Sequence, residues 1–295
     1  MVQKEGRHTF CQQALPDLQK AIQVMRSDQP LPRWPEQTRG IPNICLRSAL
    51  FGVIQRGRRK AVKRERIAAI KGLEIHYTGW RLDQGDFDVL AHALHLASRQ
   101  VTGQYIQFTA KGFLKAIGRS QGKSGREWLK DSLRRLTASA VEIRIETPSA
   151  YGPDYFIYTG SLLEEFCYTE EQQQYFLKFN TRLATLFDAG WTQLQWQQRL
   201  LLRTDLAKWL HGFYASHRLP FPIKVCTLQQ LCGSNCSRLA DFRGKLRAAL
   251  GELVRADILV GWNLDEEDKV QVQKERGLDE SSLTLPGHSG RKWGA

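Results

Sequence analysis

An α+β fold of two tandem repeated units, with flexible N- and C-terminal tails, is predicted by three observations. The first is a run of short helix, polar turn, amphipathic helix and strand over residues 216–262. The second is a near copy of that run over residues 108–145. The third is charge: Lys and Arg exceed Asp and Glu enough to give +13 at neutral pH and a pI near 9.6 over 295 residues. A helix, turn, helix and strand in this order describe a winged helix-turn-helix, whose second helix enters a DNA major groove.

In the later copy, residues 227–232 form the short helix, Gly233 closes it, and Ser234, Asn235, Cys236 and Ser237 form a turn of helix-capping residue types. Residues 238–255 continue as a helix, with Leu239, Phe242, Leu246, Leu250 and Leu253 at helical spacing. Asp257 breaks it, and Ile258, Val260 and Trp262 alternate as a strand. In the earlier copy the short helix is 109–117, stopped by Gly118, the turn is 120–124 and the long helix is 126–137. Val141, Ile143 and Ile145 alternate as its strand. Phe113 aligns with Leu228, Gly118 with Gly233, Leu129 with Leu246, Leu133 with Leu250 and Leu136 with Leu253, with two extra residues in the second turn.

Residues 1–45 mix Gln, Pro and charge, with a short helical stretch at 15–25. Pro30, Pro32, Pro35 and Pro42 mark 28–42 as a linker, so 1–45 is predicted to be a flexible arm. The first winged-helix domain is predicted at 46–188. Arg56, Arg58, Arg59, Lys60, Lys63, Arg64 and Arg66 form a basic loop beside the DNA-reading units, fit for phosphate contacts. Leu73, Ile75 and Tyr77 predict a strand turned by Gly79. Residues 87–98 predict an amphipathic helix with Leu90, Ala93, Leu94 and Ala97 inward, and 105–108 a short strand. Residues 148–153 predict a wing tip, 155–163 and 175–179 further strands, and 181–187 a helix start. The second winged-helix domain is predicted at 189–276, opening on a helix at 193–214, the longest helical pattern. Asp265, Glu266, Glu267 and Asp268 predict its wing tip, answered by Val270 and Val272. Residues 277–295 are predicted to be a disordered tail.

The long helices each separate a core face from a basic face. On the first, Arg126, Lys130 and Arg134 recur every four residues and reach back to Lys123 and Ser124, whose place at a helix start favours a phosphate. On the second, Arg238, Asp241 and Lys245 share a face behind Ser234, Asn235 and Ser237. Arg and Lys there can pair with guanine or phosphate and Asn with adenine, while Asp241 accepts from cytosine or orients a neighbouring Arg. The bland alternative is an ordinary solvated helix face.

Other chemistry is excluded by spacing. Gly118 to Ser124 resembles a phosphate loop, but has three residues between its glycines where four are required and follows a helix. His92 and His95 are three apart on a helix without an evident carboxylate partner, and read as a surface or half-buried pair. The six cysteines, at 11, 45, 167, 226, 232 and 236, lack a CxxC or paired-His framework. Cys226 and Cys232 fall where small buried apolar groups are expected. No metal, no cofactor and no catalytic residue is predicted. With no long apolar run and no apolar signal core, a cytoplasmic location is expected.

Arg47 to Phe51 (RSALF), His76 to Gly79 (HYTG) and, most specifically, Ser216 to Ser234 (SHRLPFPIK…LCGS), followed by the helix from Arg238, resemble the TrfA-like iteron-binding plasmid replication initiators. The similarity spans roughly 46–272. It implies an initiator that binds repeated origin sites in double-stranded DNA through both domains, helps open an AT-rich element and recruits host helicase and initiator proteins without an enzymatic step. It also implies a monomer–dimer equilibrium. Family members contact the host sliding clamp through an N-terminal peptide, which Gln13-Ala14-Leu15-Pro16-Asp17-Leu18 matches imperfectly because of its proline. The rival expectations are an autoregulatory tandem winged-helix repressor and a nicking replication enzyme.

Overall fold

The computed structural model describes residues 30–55, 57–101, 103–147 and 154–274. Their buried apolar side chains fall into two clusters, one running from Trp34 to Trp196 and the other from Leu202 to Val270. The expected helix at 15–25, the wing tip at 148–153 and the tail at 277–295 lie outside the described residues.

The chain enters its core earlier than its proline content predicts. Thr38–Pro42 is a strand (β1), buried at every position, that pairs antiparallel with Trp191–Gln195. Trp34 anchors it: its ring lies so close under Gly40 that a Cβ there would come within 2.4 Å, it stacks on Phe187, and its Nε1 donates to His95 Nδ1 at 2.9 Å. Residues 30–45 are therefore packed structure, not part of a flexible arm. Asn43–Leu46 (α1) follows directly.

Phe51–Gly52 (β2) leads to the basic segment, which is a loop only as far as Lys60 and is strand from there on. Ala61–Ile67 (β3) pairs antiparallel with Leu73–Trp80 (β4). Leu82–Asp83 (β5) then pairs in parallel with β2. Gly79 sits inside β4, so it does not turn the chain. Gln84–Ala97 (α2) starts three residues before the apolar pattern because Asp83 and Asp86 cap it reciprocally. It is not amphipathic: residues 84–95 are all buried, because the larger cluster surrounds the helix. His92 and His95 are buried with it, correcting the expectation of a surface or half-buried pair.

Ile106–Thr109 (β6), Ala110–Ala116 (α3) and Lys123–Thr137 (α4) form the first repeated unit. Ala140–Thr147 (β7) and Asp154–Gly160 (β8) come next, then Glu165–Thr169 (β9) and Gln174–Lys178 (β10). The strand after the first long helix does not pair within its unit. β7 joins a four-stranded sheet of order β3-β4-β7-β8, with Val141 and Ile143 facing the core beside Ile75 and Tyr77. The hairpin β9–β10 takes the expected place, in a sheet of order β6-β10-β9. Alternation announced a strand, but nothing local specified its partner.

A 3-10 turn at Thr181–Ala184 and a helical turn at Thr185–Asp188 (α5) precede Trp191–Gln195 (β11). The long helix expected at 193–214 is broken into β11, Trp196–Leu201 (α6) and Asp205–Ala215 (α7). Leu202 is extended, and Thr204 Oγ1 restarts the helix by accepting from the Ala207 N–H at 3.2 Å. Because Leu194 and Trp196 belong to the larger cluster, the core divides near Leu202 rather than at residue 189.

Ile223–Lys224 (β12), Val225–Leu231 (α8), Leu239–Arg255 (α9), Gly261–Leu264 (β13) and Lys269–Gln273 (β14) form the second unit, its sheet ordered β12-β14-β13. The last strand pair starts at Gly261, later than expected. Ile258 and Leu259 direct their N–H groups at Leu253 O, and Val260 is exposed.

The two units match bond for bond. Gly118 and Gly233 end the short helices at φ 68° and 62°. The next N–H returns to the helix in each: Arg119 to Leu114 O (2.8 Å) and Ser234 to Gln229 O (3.1 Å). The hairpin turns end at Gln173 and Asp268, at φ 51° and 60°, and their carbonyls accept the first N–H of α3 (Ala110, 3.3 Å) and α8 (Val225, 2.9 Å). Leu129, Leu133 and Leu136 are buried, as are Leu246, Leu250 and Leu253.

Polar bonds fasten the clusters together. Arg199 of α6 and Lys208 of α7 both bond Asp88 of α2 at 2.6 Å, and Arg199 also donates to Gln84 Oε1 (2.9 Å) and lies over the Phe87 ring. Trp209 Nε1 donates to Ser48 O (3.0 Å) and the Val53 N–H to Cys232 O (2.8 Å). Among the described residues, no helix is long and apolar enough to cross a membrane.

Candidate nucleic-acid interface

The start of α4 is built to leave N–H groups open. Gly122 sits at its N-cap without a side-chain cap, and the first turn carries no acid. Gly125 lets the preceding turn close over this end, since a Cβ there would stand 1.8 Å from Ser120 O. Lys123 and Ser124 are exposed at this terminus, and Arg126 is half-buried with one N–H on Gln121 O. Arg134 is exposed and paired with Asp131. Lys130 is not on the open face. It is 7% exposed, with its Nζ 3.1 Å from Glu127 Oε1, 3.7 Å from Glu170 Oε1 and over the Tyr168 ring. The hairpin β9–β10 closes over it.

On the second unit, α9 also starts without a side-chain cap, from Arg238. Asn235, Ser237, Arg238, Asp241 and Lys245 are exposed and Ser234 half-buried. Arg238 donates to both Asp241 carboxylate oxygens (2.9 and 3.1 Å), so Asp241 orients the guanidinium. Lys245 Nζ lies 3.9 Å from Cys236 Sγ.

An open cleft of about 370 Å³ joins this turn to the basic segment of the other cluster. Arg58, Lys60 and Arg66 line one wall, and Gln230, Gly233, Ser234 and Asn235 the other. Arg58 and Lys60 make no side-chain hydrogen bond or ion pair among the described residues, and Arg66 only approaches Glu74 at 3.9 Å. Lys63 is exposed outside the cleft, and Arg64 pairs with Glu142. Arg59 departs from the expected phosphate-contact role. Its guanidinium bonds Asp83 and Asp86 at the cap of α2, where burial opposes its charge but the two carboxylates outweigh it and raise its pKa.

The model of the family described as "TrfA protein" matches residues 8–274. The chain belongs to the TrfA protein family. The plasmid replication initiator protein TrfA of Escherichia coli is 27% identical over 230 residues, which are 75% of this chain and 58% of that protein. The chain thus spans little more than half the length of its curated TrfA relative. Crystalline domains 2 and 3 of RctB overlay with a TM-score of 0.56 at 13% identity, over 79% of this chain and 96% of theirs, so the mixed α/β fold is shared. The Pi initiator protein in complex with iteron DNA overlays at 0.44, with 13% identity, over 64% of this chain and 91% of that one.

In this TrfA-family chain several exposed or half-buried cations escaped sequence reasoning. Lys111 and Lys115 lie on α3, Arg119 stacks on Trp128 at 3.5 Å, and Arg243 and Arg247 lie on α9. Helical spacing would have found Arg243 and Arg247, which follow Leu239 in steps of four on a flank between the core and polar faces. Cys226 is exposed, so it does not fill the core, whereas Cys232 is buried and burial pushes its thiol up to about 12. No group of three His, Cys, Asp or Glu among the described residues could hold a metal ion.

Proposed function

We propose that the chain is a plasmid replication initiator that binds repeated origin sites in double-stranded DNA through two winged helix-turn-helix domains. Membership of the TrfA family and the name of the Escherichia coli relative support the initiator role. The matching sheet orders, left-handed turn residues and hairpin-to-helix bonds of the two units support the tandem winged-helix assignment. The domains would meet near Leu202, with α4 and α9 as recognition helices.

The observation that carries DNA binding is the cleft, which sets the open cations of β3 and its approach beside the uncapped start of α9. Phosphates would lie against Arg58, Lys60, Arg66 and the N-termini of α4 and α9, while Asn235, Arg238 and Lys245 would reach base edges. Lys123, Ser124, Arg126 and Arg134 would serve the other half-site. The chain would have no enzymatic step of its own, and would act in the cytoplasm by recruiting host helicase and initiator proteins. A sliding-clamp contact would fall to Gln13–Leu18, outside the described residues.

DNase footprinting on the chain's own replicon at two salt concentrations tests this. Regularly spaced protection over direct repeats beside an AT-rich tract is expected. Protection of a lone promoter palindrome would assign a repressor instead. Arg238→Ala should cost about 1–3 kcal/mol of binding and relax preference at one base position. Unchanged discrimination between origin and random DNA would show that α9 does not read bases.

A further inference from the structure

Each winged unit turns its hairpin through acidic residues at the place nearest the DNA-facing helix. The first turn is Glu170, Glu171, Gln172 and Gln173, and the second Asp265, Glu266, Glu267 and Asp268. A carboxylate there repels phosphate, so a turn built only to grip DNA would carry the opposite charge. In both units one of these carboxylates stands beside a cation of the long helix, and in the second it is bonded to it. Asp268 takes the Arg243 guanidinium through both oxygens, at 2.8 and 2.9 Å, and Glu170 stands 3.7 Å from the Lys130 Nζ. Arg126 aligns with Arg243 and Lys130 with Arg247, so the two pairs use different helix positions, and the covered Lys130 is held more closely by Glu127, at 3.1 Å. The Arg243–Asp268 pair lies at the rim of the unit, its side chains 33% and 29% exposed.

We infer that Asp268 is a specificity-determining residue: it holds Arg243 of the recognition helix in an internal pair that non-cognate DNA cannot displace. This rests on the DNA-binding function proposed above. A two-pronged guanidinium matches the paired oxygens of a carboxylate, and equally the O6 and N7 acceptors of guanine. A correctly placed guanine can therefore exchange with Asp268 in the same geometry. Random DNA offers Arg243 chiefly phosphates, and each approach brings phosphate against the Asp268 charge. Without the carboxylate, Arg243 becomes one more indiscriminate phosphate contact.

The test measures fluorescence anisotropy of two labelled duplexes of equal length, one carrying the footprinted repeat and one of random sequence, over a salt series. Wild type, Asp268→Asn and Glu266→Gln are compared. Asn tolerates the left-handed backbone that Asp268 occupies at φ 60°. Glu266 lies in the same turn but holds no cation among the described residues, so its variant changes net charge equally and frees nothing.

Asp268→Asn should bind random DNA several-fold tighter, keep its affinity for the repeat, and steepen the log affinity against log salt slope on random DNA by about 0.9. Glu266→Gln should leave that slope unchanged. Equal effects of the two variants, or unchanged random-DNA binding by Asp268→Asn, would overturn the inference and leave DNA binding intact. A wild type that does not prefer the repeat would overturn the DNA-reading function itself, and the inference with it. If Asp268→Asn fails to fold, Asp268→Gly, which also accepts the left-handed backbone at this position, carries the same measurement.

Discussion

Asp88→Ala is expected to destabilise the chain by about 3–5 kcal/mol, the usual cost of breaking a buried ion pair from one side. Asp88 and Arg199 are each 1% exposed, and the carboxylate spends both oxygens on Arg199 and Lys208. Removing it leaves a guanidinium that cannot shed its proton, holding only the Gln84 side chain and a backbone carbonyl. The loss falls where α2 meets α6 and α7, so both clusters should loosen together. Urea melts of wild type, Asp88→Ala, Arg199→Met and the double variant Asp88→Leu/Arg199→Met would check this. Each single change should cost several times more than an exposed substitution, and the double variant should recover much of the loss because the two fully buried charges go together and only the partly exposed Lys208 loses its partner. An Asp88→Ala protein as stable as wild type would refute the bridge.

The same network sets the response to acid. Burial pushes the Asp88 carboxyl up, but Arg199 and Lys208 outweigh it and hold its pKa below the ordinary value. A depressed carboxylate contributes stability that is present above its unfolded pKa and lost as pH falls through its folded one. His92 and His211 act earlier. Burial, helped by Arg39 at His92 and Arg199 at His211, lowers both to about 3 from 6.5. Between those values the unfolded chain takes up protons that the folded chain refuses, so stability should decline from about pH 6.5 downward and fall faster in the carboxylate range. Thermal melts across this window should show the two stages, and the second should be shallower in the Asp88→Leu/Arg199→Met variant.

Short-range pattern carried what was legible in the sequence. Both long helices, the glycines at 118 and 233 and the acidic turn before Val270 follow from spacing within one turn or strand. Partners far along the chain were not legible. Trp34 finds Phe187 and His95 across the fold, which makes a proline-rich segment into core. The hairpin at 165–178 displaces β7 from its own unit, and in doing so covers Lys130, whose place every fourth residue between Arg126 and Arg134 otherwise marks an open basic face. Arg59 and Lys60 are neighbours in one basic run, yet one caps the central helix with two aspartates while the other lines the cleft. Charge density along the chain says how many cations there are, and only packing says which of them are spoken for.

The cations left open make the second large prediction. Replacing Arg58, Lys60 and Arg66 together by alanine should flatten the salt dependence of DNA affinity by about 2.7 in slope, at roughly 0.9 for each lost phosphate contact. At moderate salt the affinity should fall by about 10²-fold or more, since a hydrogen bond to a charged group contributes roughly 1.5–3 kcal/mol. The three side chains line one wall of the cleft and none supports the core, so the thermal melt should hardly move. Base preference should also survive, because phosphate contacts position a protein without reading sequence. Arg59→Ala is the matching control, one residue from Lys60: it should lower stability through the α2 cap and leave the salt slope of the folded fraction alone. If the triple variant kept the wild-type slope, the cleft would not carry phosphates.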